Sequence, residues 1–271
     1  MAVMRWWGRF QFTFSFAAAA FGPASMARAG AWAQPEGETL VIAAASFADS
    51  TRAFDASGKL LPVSAWRKFE LGFHVEYGLS ERVTLLARPA VADVSSAGPP
   101  SGAYRGLSSM EFGARIELAR VGDAVFATQG KVKLLGASDT GNPALSGMTA
   151  VEVEGRVLAG YSLNVGGRPA FVDAQLGWAA RMGGNPGEAR LDLTLGVRPF
   201  DHLLALLQSF SAATTGAGTA GYPSQRWSKL QPSLVYEFAP GWSAQAGIFA
   251  TVAAVNARRE QGAIAAVWRK F

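Results

Sequence analysis

The sequence predicts an all-β fold, an antiparallel transmembrane β-barrel of about twelve strands behind a cleaved signal peptide. Three observations predict it. Apolar and polar residues alternate strictly over segments longer than an ordinary globular strand of about 5–6 residues. Tight turns and long Gly/Pro/Ser-rich connections alternate along the chain. Beyond its leader, a chain with 49% hydrophobic residues contains no apolar run long enough for a transmembrane helix.

The leader is read first, because it is set aside before the fold is considered. "MAVMRWWGRF" supplies a basic start at Arg5 and Arg9, and "FQFTFSFAAAAFG" a short apolar run. "AWA", residues 31–33, is a small-x-small cleavage signal, with a second at "ARA" ending at Ala29. The expected division is therefore a signal peptide over 1–33 and a barrel over 34–271. Removing 1–33 takes three arginines and no acid, which lowers the net charge from +5 to +2. A mature chain so nearly neutral offers no basic face to nucleic acid. With no cysteine, disulfides and thiolate metal sites are excluded.

The first long segment sets the period. In "FELGFHVEYGLSERVTL", Phe69, Leu71, Phe73, Val75, Tyr77 and Leu79 alternate with Glu70, Gly72, His74, Glu76 and Gly78. Period 2 puts the two sets on opposite faces of a strand, whereas a helix would mix them. "MEFGARIEL", "VEVEGRVLAGY", "FVDAQLGWAAR" and "RLDLTLGVR" repeat the pattern, with "KLQPSLVYEF" and "WSAQAGIFAT" weaker versions. Twelve strands follow, near 38–48, 66–78, 82–94, 107–119, 123–134, 149–162, 169–181, 188–199, 202–212, 227–238, 242–253 and 261–271. "LSER", "RVGD", "NVGGRP", "PFDH" and "APGW" are the tight turns, built from Gly, Pro, Asp and Ser. An even strand count with short turns at one end and long loops at the other is the pattern of an outer-membrane barrel, with both chain ends on the periplasmic side.

Aromatic residues cluster where two interfacial girdles belong. Tyr77, Tyr161, Phe200, Tyr236, Phe238, Trp242 and Phe271 lie beside the short turns, and Trp66, Phe69, Phe210, Tyr222 and Trp227 near the long loops. The terminal "AVWRKF" resembles the C-terminal signal through which barrel-insertion machinery recognises its clients. Arg269 stands where that signal has an apolar residue. Trp268 and Ile264 are therefore a candidate lipid-facing set, and the parity of this strand stays open.

If the apolar set meets outer-membrane lipid, the other set lines a pore. Its members are Lys68, Glu70, His74, Glu76, Arg88, Glu111, Arg115, Glu117, Lys131, Lys133, Glu152, Glu154, Arg156, Asp173, Arg181, Arg190, Asp192, Arg198, Lys229 and Glu237. Such a balanced wall does not make a single-sign ion filter. It either fills a narrow interior with cross-strand ion pairs or lines a water-filled channel. About five residues separate the expected cleavage site from the first strand, too few for a separate plug. The loops 136–148 and 211–225 are read as surface loops.

Catalytic and metal chemistry find little footing. Glu70, His74 and Glu76 share a face because a strand repeats every two residues, not because they form a helical ligand pair. His74 reads as a hydrogen-bonded lumen histidine, whose ordinary pKa of about 6.5 makes it the candidate for pH-dependent conductance. No H-E-x-x-H, G-x-S-x-G or Walker-type loop occurs. The expected protein is not an enzyme and needs no cofactor.

"ELGFHVEYGLSERVTLLARP", "SMEFGARIELAR", "EVEGRVLAGYSL" with "GRPAFVDAQLGWAAR", and "EARLDLTLGVRP" resemble an outer-membrane transporter family labelled after the meta-pathway of phenol degradation. The resemblance covers about 65–240 and rests on strand-plus-turn patterns. It implies a barrel of about twelve strands that passes small, often aromatic, molecules, and it implies no site residues. The expected function is passive diffusion of a small solute, aromatic and amphiphilic ones included, through a mixed-charge lumen. The alternative is a closed structural, assembly or export-partner barrel of the cell envelope.

Overall fold

Alternation dictates the architecture, since long two-faced strands leave no unpaired edge only by closing on themselves. The computed structural model describes residues 30–98, 101–136, 142–145, 151–216 and 223–271. The long strands are β1 (Thr39–Phe54), β2 (Leu60–Ser80), β3 (Val83–Ser96), β4 (Gly102–Val121), β5 (Ala124–Leu135) and β6 (Val151–Val165). They continue with β7 (Arg168–Arg181), β8 (Glu188–Phe200), β9 (Leu203–Thr214), β10 (Arg226–Ala239), β11 (Trp242–Val255) and β13 (Gln261–Lys270). A two-residue strand, β12 (Ala257–Arg258), pairs with the end of β1.

Each long strand pairs antiparallel with its neighbour in sequence, and β1 closes the barrel by pairing with β2 on one side and β13 on the other. At the seam Phe271 N donates to Thr39 O at 2.9 Å. All twelve expected strands are present. Most run a few residues further toward the long loops than alternation alone indicates, so that only 55–59 separates β1 from β2.

The short turns follow from residue chemistry. Gly166 and Gly167 link β6 and β7 with φ of +57° and +77°, the pair of positive angles a tight hairpin needs. Outward-facing Leu71, Phe73, Phe112, Leu176 and Leu195 form an apolar belt that excludes an aqueous surround. The fold is that of an outer-membrane barrel, and its belt places the chain in that membrane.

The periplasmic aromatic set is outward and exposed as expected, from Tyr77 and Tyr161 to Trp242 and Phe271. The second girdle is corrected. Phe69 faces out, but Trp66 packs against inward-facing Ala92 and Val94, and Phe210 lines an internal cavity. Lys229 Nζ lies 4.9 Å from the Trp227 ring centroid. Tyr222 is outside the described residues.

The last strand also has one parity. Trp268 is 6% exposed and donates from Nε1 to Gln245 Oε1 at 3.1 Å, so it and Ile264 face the interior. Val267 and Phe271 face outward instead. Arg269 stays tolerable on that outer face because its guanidinium lies over the rings of Trp242 and Phe271, at 4.9 and 5.0 Å.

Candidate channel lumen

Two clusters organise the charged face. In the first, Glu152 and Glu154 of β6 are the hubs. Arg190 reaches Glu152 at 3.0 Å, Glu154 at 2.5 Å and Glu188 at 2.7 Å. Arg181 lies 3.4 Å from Glu152, and Lys131 lies 3.5 Å from Glu154 and 3.2 Å from Glu111. Arg156 binds Glu154 on its own strand and Asp192 across two strands. Lys133 completes the set 3.5 Å from Glu111. Register explains the match, because β5 sets Lys131 directly beside Glu154 and Lys133 beside Glu152.

The second cluster lies nearer the periplasm. Arg115 grips both oxygens of Glu76, at 3.2 and 2.7 Å, and the two side chains are each 3% exposed. His74 Nε2 meets Glu76 Oε1 at 2.9 Å, while Arg88 Nε donates to His74 Nδ1 at 2.5 Å. A ring nitrogen that accepts from a guanidinium carries no proton, so the tautomer here has its hydrogen on Nε2. Glu70 belongs elsewhere, bound to Lys68 at 2.6 Å and Ser108 at 2.7 Å. Glu70, His74 and Glu76 therefore do not converge on one point.

The remaining expected pore residues sit near the barrel ends. Glu117 binds Arg120 at 2.8 Å, Lys229 binds Glu260 at 2.7 Å, and Arg198 donates to the Asp201 carbonyl at 3.3 Å. Glu237 lies beside the β8–β9 turn, its backbone N–H on the His202 carbonyl at 2.8 Å. Asp173 is 2% exposed and accepts from Gln175 Nε2 at 2.7 Å.

The expectation that no plug precedes β1 is corrected. Residues 30–34 enter the periplasmic end of the barrel, with Ala31 0% and Trp32 2% exposed. Trp32 meets Phe171 edge-to-face with centroids 5.8 Å apart, in a cluster with Leu40, Val125, Leu158 and Trp268. Gln34 bonds Thr84 Oγ1 at 2.9 Å through its N–H and Glu76 Oε2 at 2.8 Å through its side chain. Apolar, hydroxyl and acidic anchors hidden on several strands receive this segment, which strand periodicity cannot reveal. At the other mouth, Ala144 of the 136–148 loop packs on Ala92 and Val94, so Ala144 and Leu145 of that loop are inside and not on the surface.

The interior has a second wall that alternation does not expose. Leu40 and Ile42 of β1, Leu204, Leu206 and Phe210 of β9, and Ile264 and Trp268 of β13 face a cavity of about 480 Å³. Lys68, Glu70, His74, Arg88, Glu111 and Lys133 line the same cavity from β2 to β5, beside β1 and across the barrel from β9. Among the strands of this second wall, Gln231 Nε2 donates to Gln208 Oε1 at 3.0 Å, and Gln245 Nε2 to Ser233 Oγ at 3.0 Å. β9 is apolar on both faces, "LLALLQSF", and that doubling was the available signal.

No family model matches the chain, and no curated protein matches it. Solved structures do. The COG4313 outer membrane channel from Pseudomonas putida F1 superposes with a TM-score of 0.69 at 13% identity, covering 91% of this chain and 100% of that one. The NanC porin gives 0.54 at 8% identity, over 85% and 100% of the two chains. The translocator domain of the autotransporter NalP from Neisseria meningitidis gives 0.50 at 14%, over 88% and 90%. At these identities the likeness is one of fold.

Proposed function

We propose that the protein is an outer-membrane channel for passive diffusion of small amphiphilic solutes. The observation that carries this reading is the cavity of about 480 Å³ with a charged wall facing an apolar one. A solute with an aromatic or alkyl body and one charged or polar end satisfies both walls at once. A sugar leaves Leu204, Leu206 and Phe210 wetted and gains nothing there. The printed names of the neighbours agree in kind, since the COG4313 protein is a channel and NanC a porin.

In this reading the pore-lining residues are the charged set from Glu70 to Glu237 together with the apolar wall. Ion pairing keeps the charged wall folded flat, while Arg88, exposed to the cavity and bound to His74 only through Nε, turns its other N–H groups to the polar end of the solute. Outer-membrane lipid contacts the belt, and the outward Val267 of β13, with Phe271 just after it, is offered to the insertion machinery. The phenol label implied by the resemblance is narrower than the cavity requires.

One observation favours a second reading, a closed structural or export-partner barrel. Glu152, Glu154 and Arg156 are all paired to neighbouring strands, and residues 30–34 fill the periplasmic end. Proteoliposomes separate the two readings. A channel releases a charged aromatic solute, and a sealed barrel releases none.

A further inference from the structure

The N-terminal segment carries information about its own processing. Asp173 is a carboxylate 2% exposed, and among the described residues no cation lies within ion-pair distance of it. Its partners are the amide of Gln175 at 2.7 Å and the backbone N–H of Ala31 at 2.8 Å. A buried carboxylate supplied only with neutral donors costs free energy that a paired charge would recover.

Gly30 is pressed against this carboxylate. Its φ is +102°, and a side chain there would put Cβ 2.1 Å from Asp173 Oδ2 and 2.5 Å from Oδ1. The nitrogen on the same Cα is about 2.5 Å from that Cβ position by ordinary covalent geometry. It therefore lies within about 5 Å of the carboxylate. As a peptide nitrogen it is neutral. As a chain terminus it is an ammonium.

We propose that the leader is cut between Ala29 and Gly30, and that the new α-ammonium of Gly30 is the counter-ion of Asp173, locking residues 30–34 in the barrel. Hydrolysis of that bond consumes one water, leaves a carboxylate on Ala29 and frees the Gly30 amine, which takes up a proton. "ARA", residues 27–29, supplies the small-x-small signal.

The other signal, "AWA", is spent inside the barrel. Cutting after Ala33 removes Ala31 and Trp32, both essentially fully buried. It empties the space that Gly160 keeps open for the Trp32 ring, where a Cβ would stand 2.6 Å from Cη2. It also strips Asp173 of its backbone donor and leaves Phe171 facing a void.

The test uses the full chain expressed in a Gram-negative host and purified from its outer membrane. Peptide mass spectrometry is expected to find a mature start at Gly30-Ala31-Trp32. A start at Gln34, free or cyclised, overturns the proposal. Amine-reactive labelling of the folded protein then reads the ion pair. The Gly30 amine is expected to label at least tenfold more slowly than after denaturation, and Asp173→Asn to remove most of that protection. Heat-modified gel migration reports whether that variant is folded. Equal labelling in folded wild type and folded variant overturns the counter-ion assignment.

Discussion

Arg115 and Glu76 show how the interior handles charge one residue at a time. Both are almost wholly withdrawn from solvent, and Glu76 also binds His74 and Gln34. Removing one partner leaves the other charge buried, which costs about 3–5 kcal/mol, whereas an apolar replacement of both is far milder. Glu76→Ala is therefore expected to lower the urea midpoint of the micelle-folded barrel sharply. The double variant Glu76→Leu with Arg115→Met is expected to recover most of the loss. Equal losses in the single and double variants would mean that the pair is not the interaction that matters.

His74 illustrates a different limit. Its ring accepts from Arg88 and donates to Glu76, a dual role that a glutamine amide also performs. His74→Gln is expected to preserve both stability and conductance, and His74→Leu to lower stability by leaving Arg88 and Glu76 without those bonds. Similar behaviour of the two variants in the same urea titration would remove the bridging role.

At the scale of elements, the N-terminal segment is the part most able to change what the barrel does. Trp32 contributes the largest buried side chain of the stopper, and truncation of such a ring typically costs about 3–5 kcal/mol of packing. Because the strands themselves do not need Trp32, Trp32→Gly is expected to leave a folded barrel with a severalfold larger single-channel conductance. An unchanged conductance in planar bilayers would show that residues 30–34 do not limit the path.

Element by element, the strands were legible in the sequence and the segments that fill them were not. Period-2 alternation marks β2, β4, β6 and β8 because lipid and interior demand opposite chemistry on the two faces of each strand. β9 and β13 break that contrast. Leu204, Leu206 and Trp268 turn apolar side chains inward, so polarity no longer tells inside from outside. The stopper escapes notice for a related reason. "GAWAQP" has no period, and its anchors at Glu76, Thr84 and Asp173 lie 42, 50 and 142 residues further along the chain.

For the whole molecule, the charged residues were placed on one face by spacing alone, and register then paired them into the Glu152–Glu154–Arg190 network. What spacing cannot give is the distribution of those charges around the barrel. They gather on β2 to β8, while β9, β13 and β1 supply apolar groups and β9 to β11 the amides of Gln208, Gln231 and Gln245. That segregation gives the interior one charged and one apolar wall, the basis of the amphipathic channel we propose.

The most direct test of that claim is solute flux into proteoliposomes, comparing a permanently charged aromatic sulfonate with a sugar of similar size. Neither crosses the bilayer unaided. An amphipathic channel predicts sulfonate entry well above that of the sugar, with the difference reduced when Leu204 and Leu206 are both replaced by Ser. Entry of neither solute, in barrels shown to be folded and inserted, would contradict a channel and leave the closed barrel in its place.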